Sequence, residues 1–155
     1  MISNDEKYMK LAILQARKAM KNQEVPVGCV IVKDEKIIGK GYNKKEQKKC
    51  AVFHAEIMAI EKACKKVGDW RLGDCTMYVT MEPCVMCAGA ILNHRIKNVV
   101  FGVDEENFGA CGGGIDVLNN VDLHSKTNVK NGVLKRKCLK LLQDFFKERR
   151  NIEIK

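Results

Sequence analysis

Proline is scarce in this sequence: Pro26 and Pro83 are the only two in 155 residues. Little therefore bars regular structure, and both prolines fall where elements begin. No run approaches the ~18 apolar residues of a membrane span, which excludes a spanning helix. Met1 to Lys10 is charged and lacks the apolar stretch of a signal peptide, so the expectation is a cytoplasmic protein with no membrane association. No repeat, low-complexity segment or linker breaks the chain, which points to a single domain over residues 1–155.

What is present fits a globular protein. Hydrophobic residues make up 46% and charged residues 30%, and a chain of this length buries roughly 70% of its unfolded surface. The formal charge is +9. Residues 130–155 carry nine Lys/Arg against three acids, and residues 33–49 carry seven Lys against three acids. Such a balance favours a polyanionic partner. The eight cysteines could form a disulfide framework, but that pattern belongs to small secreted chains, so reduced thiols are expected, with two or more in a metal site. Cys29, Cys50, Cys64, Cys75, Cys111 and Cys138 have no ligand spacing among themselves and read as small buried or near-site residues.

Ser3-Asn4-Asp5-Glu6 predicts a helix start, and Tyr8, Leu11, Ala12, Ala16 and Ala19 continue at helical spacing. Gly28–Lys33 and Ile37–Tyr42 read as a hairpin around Asp34-Glu35-Lys36, followed by a polar loop over 43–52. His54–Lys66 reads as a helix ended by Gly68. Thr76–Met81 reads as a strand, Cys84–Asn93 as a helix with Pro83 at its first position, and Asn98–Val103 as a strand. Residues 104–126 read as loop with a short helix near Asp116–Asn120. Thr127–Lys130 is a weak strand, far enough from the previous one to lie parallel to it. A last helix carries Cys138, Leu141, Leu142, Phe145 and Phe146 on one apolar face. The order predicts an α/β protein with three α-β-α layers, a five-stranded mixed sheet flanked by helices.

Two short segments carry chemistry: His54-Ala55-Glu56 and Pro83-Cys84-Val85-Met86-Cys87. Cys84 and Cys87 are three apart and share one helix face, near an N-terminus that favours thiolate. A lone CxxC also fits a redox pair or half of a structural zinc site. A redox pair normally follows a thioredoxin-like order of elements, which is absent. A structural site needs four ligands, and neither a second CxxC nor H-x₃₋₅-H occurs. His54 and Glu56 are two apart and converge on one target only if it sits above the first helical turn. His54 can then bind a metal while Glu56 reaches the open fourth position as general acid and base. H-x-E combined with P-C-x-x-C is the pattern of the zinc deaminases.

Further segments extend the match. They are Glu24-Val25-Pro26-Val27-Gly28, Gly41-Tyr42-Asn43, His54-Ala55-Glu56-Ile57-Met58-Ala59, Tyr78 through Ala90, Arg95-Ile96, Val99-Val100-Phe101-Gly102, and Asp144 through Arg150. On these residues the chain resembles the cytidine deaminase-like superfamily, and within it the bacterial tRNA-specific adenosine deaminases. The resemblance implies one Zn²⁺ per subunit on His54, Cys84 and Cys87, and conversion of adenosine to inosine at the wobble position of a tRNA anticodon loop. It also implies that Glu56 moves every proton, from the attacking water to purine N1 and then to the departing amine. Asn43 is expected at the purine or its ribose, Val27 in the base pocket, Asp104 at a neighbouring sugar, and Phe146 and Arg150 on the RNA loop. A homodimer is implied as well.

Two stretches depart from the family pattern: Asp104-Glu105-Glu106-Asn107-Phe108-Gly109, with two added acids, and His124-Ser125-Lys126. The same zinc motif is compatible with a deaminase of a free base or nucleoside, of guanine or cytosine type. A non-enzymatic zinc or RNA-binding module would need four protein ligands, and would give Glu56 no role.

Overall fold

The computed structural model describes residues 3–120 and 126–154. Helix α1 (Asn4–Lys21) begins as Ser3 predicts: its hydroxyl accepts from the Glu6 amide, and Asp5 and Glu6 occupy the first turn. Strands β1 (Gly28–Lys33) and β2 (Lys36–Tyr42) form the hairpin. Its turn is tighter than the sequence suggests. Asp34 and Glu35 both have positive φ, the two-residue geometry whose twist matches paired strands.

The stretch 43–52 is not all loop, because α2 (Lys45–Lys48) stands in it. The reason is remote: the Glu24 carboxylate accepts from the Glu46 and Gln47 amides at 2.9 and 2.8 Å. Then come α3 (Ala55–Val67), ended by Gly68 at φ 77°, and β3 (Thr76–Met81). Helix α4 (Val85–Asn93) and strands β4 (Asn98–Val103) and β5 (Asn128–Lys130) follow. The chain ends in α5 (Lys135–Ile154). The helix expected near Asp116–Asn120 does not form. Asp116 instead forms a β-bridge with Cys111, although its carboxylate accepts from the Asn119 amide as a helix cap would. His124 and Ser125 lie outside the described residues.

The sheet order is β2-β1-β3-β4-β5. β1 is antiparallel to both neighbours, and β3, β4 and β5 run parallel, as the long crossover before β5 suggested. The central strands are buried on both faces, so they read as apolar runs without polar alternation. Cys29, Ile31, Met77, Val79, Val99 and Phe101 pack with α3 and α4. Val30, Val32, Tyr78 and Val100 pack on the other side with α1 and α5. Those two cores make the three layers. Gly41 brings α3 hard against β2, since a Cβ there would collide with the Ala55 carbonyl and the Ala59 amide. That approach fixes the height of the first turn of α3, where His54 and Glu56 sit. Among the described residues no helix is long and apolar enough to cross a membrane.

Candidate metal centre and its two adjoining cavities

Helices α3 and α4 each begin with one of the chemistry-bearing residues. His54 is the N-cap of α3 and Cys84 the N-cap of α4, so both lie just outside the helices proper, and Pro83 precedes the cap instead of opening the helix. Both caps have extended backbones, and neither side chain makes a capping hydrogen bond. An N-cap side chain ordinarily satisfies a free amide of the first turn. Here both turn outward and meet. His54 Nδ1 lies 3.6 Å from Cys84 Sγ and 3.6 Å from Cys87 Sγ. The three donor atoms all fall within 4.8 Å of one another.

Without a metal these groups share protons. The hydrogen bond from Cys87 holds the Cys84 thiol down to about 3, helped by His54 and opposed by burial. The same bond, followed by burial, pushes the Cys87 thiol up. The bond to Cys84 raises His54 above its ordinary value. Cys84 stands at the tip of a helix whose free amides favour negative charge. The donor set fits zinc. Ordinary Zn–N and Zn–S bonds in a tetrahedron separate nitrogen from sulfur by about 3.5 Å, close to the two distances found. Two thiolates and a neutral imidazole would balance a divalent charge. Among the described residues no fourth His, Cys, Asp or Glu joins the group.

Glu56, in the first turn of α3, is 3% exposed. Burial pushes its carboxyl up from the ordinary carboxylate range, against the pull of its own backbone amide and of His54. It lines a cavity of about 360 Å³ with His54, Cys84, Val27 and Asn43. Asn43 is held at both ends of its amide: Oδ1 accepts from the Lys45 amide at 3.2 Å, and Nδ2 donates to the Val25 carbonyl at 3.4 Å.

A second cavity of about 390 Å³ adjoins the first, and Val25, Asn43 and Lys45 line both. Phe145, Phe146, Arg149 and Arg150 of α5 form its other side. The apolar face predicted for α5 therefore divides. Cys138, Leu142 and Phe145 are buried, whereas Phe146, 45% exposed, turns toward the cavity. Arg149 ties this end of α5 to the chain after α1 by donating to the Gln23 carbonyl at 3.3 Å.

Four of the five residues expected at the substrate thus line a cavity: Val27 and Asn43 the first, Phe146 and Arg150 the second. Asp104 lines neither. Its carboxylate accepts from Asn131 at 3.0 Å and pairs with Lys135 at 3.6 Å. Glu105, one of the two added acids, lines the first cavity, as does Phe108, which is 76% exposed. Sequence reasoning does not single out Phe108, Lys45 or Arg149. The one available signal for Phe108 is an isolated aromatic within a polar, glycine-bearing stretch. Of the six remaining cysteines, Cys29, Cys75, Cys111 and Cys138 are buried, Cys64 is partly so, and Cys50 is exposed.

Comparison with known proteins agrees with this geometry. The family model described as MafB19-like deaminase matches residues 3–150. A tRNA-specific adenosine deaminase of Streptococcus pyogenes is 42% identical over 143 residues, 92% of this chain and 90% of the relative. A solved structure from studies of A-to-I editing by tRNA:A34 deaminases at the wobble position of transfer RNA superposes with a TM-score of 0.84. It shares 34% identity and covers 88% of this chain and 99% of its own. A guanine deaminase structure from Bacillus subtilis is 39% identical with a TM-score of 0.62, over 66% of each chain. Likeness that runs from α1 through both helix tips and into α5 assigns the chain to the MafB19-like deaminases and, among them, to the tRNA-specific adenosine deaminase family.

Proposed function

We propose that this chain, as a single domain, hydrolytically deaminates adenosine to inosine at the wobble position of a tRNA anticodon loop, with one zinc ion on His54, Cys84 and Cys87. The observation that carries the tRNA reading is the pair of joined cavities. The inner one is of a size for a nucleobase. The outer one presents Phe146, Arg149, Arg150 and Lys45 beside Glu46 and Glu153, a combination of an aromatic face and cations suited to a splayed RNA base and its phosphates. A free base would need only the inner cavity. The Streptococcus pyogenes relative, named for tRNA and aligned over nine-tenths of the chain, supports the same substrate. A tRNA substrate in turn fits a cytoplasmic protein.

Zinc bound at the three donors supplies the Lewis acidity that makes water a nucleophile at neutral pH. The rest falls to this chain's own groups. Glu56 takes the proton of the attacking water and holds it for delivery. It passes the proton to purine N1, which makes C6 electrophilic as the water oxygen adds there. It then takes the remaining proton from the hydroxyl added at C6 and delivers it to the exocyclic amine, the C6–N bond breaks, C6 is left as a carbonyl, and ammonia departs. Val27 and Asn43 bound the base. In the outer cavity Phe146 stacks on a neighbouring base and Arg150 meets a phosphate. Asp104 would meet a neighbouring sugar with a carboxylate already shared with Asn131 and Lys135.

The deciding experiment is inosine formation in an anticodon stem-loop carrying adenosine at the wobble site, measured by mass spectrometry with zinc-loaded protein. Turnover of free guanine or cytosine with no inosine in that stem-loop would replace this reading with a small-molecule deaminase. We further propose a homodimer. Exposed Val85 and Phe108 stand beside the inner cavity, apolar surface that a second copy would cover. A monomeric mass by light scattering at micromolar concentration would remove that part.

A further inference from the structure

We propose that Glu24 and Glu82 are positioning residues that set the two walls of the substrate cavity, each clamping a backbone segment with a buried carboxylate. The two side chains are 0% and 4% exposed. Burying a carboxylate is costly unless hydrogen bonds replace its water. Here each carboxylate oxygen accepts from at least one backbone amide, and those amides belong to segments that also carry cavity-lining residues.

Glu82 follows β3 directly. Its Oε1 accepts from the Glu105 amide at 3.0 Å, and its Oε2 from the Cys111 and Gly113 amides at 2.9 and 2.8 Å. The loop wraps the carboxylate so closely that a Cβ on Gly109 or Gly113 would overlap it. Within this loop Glu105 and Phe108 form one side of the inner cavity. Glu24 acts on the opposite side. By accepting from Glu46 and Gln47 it serves as an N-cap for α2, whose four residues include no capping side chain of their own. The segment it holds presents Asn43 and Lys45, two of the three residues common to both cavities.

With all their oxygens engaged by amides, neither acid is free to move protons for the reaction. What both determine is where the walls stand, and so how tightly adenosine and its flanking nucleotides are received. The purpose assigned to the walls rests on the deaminase reading above, whereas the clamping itself does not.

Glu24→Gln and Glu82→Gln test the proposal. Each preserves side-chain volume but turns an NH₂ group toward a backbone N–H, so one side of each clamp is lost. The expected result is an increase of about tenfold in KM for the anticodon stem-loop, with kcat and zinc per chain unchanged. Amide exchange should quicken at Glu46 and Gln47 in the first variant, and at Glu105, Cys111 or Gly113 in the second, without spreading to the other wall. Unchanged KM in the zinc-loaded variants would overturn the proposal. So would a fall in kcat together with zinc loss in Glu24→Gln, since the carboxylates would then be supporting the metal tips. Should Glu82→Gln fail to fold, Glu24→Gln still decides, because Glu24 lies far in sequence from the metal motifs. If the wild type forms no inosine, the functional reading fails, and the exchange measurement still tests the clamps.

Discussion

The inner cavity and the cavity beneath α5 meet at Val25, Asn43 and Lys45, yet they are made differently. The inner one is assembled at two helix tips: His54 and Cys84 cap the helices, and Glu56 and Cys87 stand in their first turns, where backbone direction fixes side-chain direction. The outer one is assembled from the exposed end of a surface helix, where Phe146, Arg149 and Arg150 lean over a segment more than a hundred residues earlier in the chain. The contrast suggests a division of work. Burial and fixed geometry suit bond making and proton transfer, while exposed aromatic and cationic groups suit reception of a polyanion.

Substitutions can sharpen or break that division. The largest effect is expected from Cys87→Ala. It should abolish zinc binding, measured by elemental analysis, and with it all turnover, because two donors hold a catalytic zinc poorly. Glu56→Gln comes next. Zinc content should stay at wild-type level while kcat falls by about 10²–10⁴-fold, the usual contribution of a general acid–base group. A variant that kept its rate would remove proton transfer from the inner cavity's role. The double variant Phe146→Ala, Arg150→Ala should raise KM for the stem-loop by about tenfold or more, from one lost base stack and one lost phosphate contact, and leave kcat nearly unchanged. A fall in kcat alone would mean that the two cavities are not separable. The smallest effect is expected from salt on the wild type. Raising ionic strength should lower kcat/KM on the stem-loop in a log-linear manner while zinc content stays constant. A salt-independent rate would exclude phosphate contacts from binding.

Much of the fold is legible because its cues are local. The first helix carries its own cap in Ser3, the hairpin its turn in Asp34-Glu35, and α3 its stop in Gly68. The grouping of His54, Cys84 and Cys87, which could hold a metal, is legible for the same reason, since its members fall in two short segments with diagnostic spacing. Where cues are remote, reading fails. Helix α2 goes unseen because its cap, Glu24, lies 22 residues away from Glu46. The turn at Asp116 mimics a helix start until the Cys111 bridge is known. Phe146 fits the apolar stripe of α5 by spacing, but one position past Phe145 rotates it off the core and toward the cavity.

The sequence by itself determined the chemistry. Spacings of two and three residues at helix starts commit an imidazole, two thiols and a carboxyl to common directions, because the backbone of a first turn leaves them few others. Only the tertiary structure decided how substrate is received. Whether a basic helix end faces a cavity or solvent, and whether a buried acid clamps one loop or another, depends on groups 22 to 31 residues apart or more. Contacts at that range follow from how the layers pack, and no local preference of the chain encodes them.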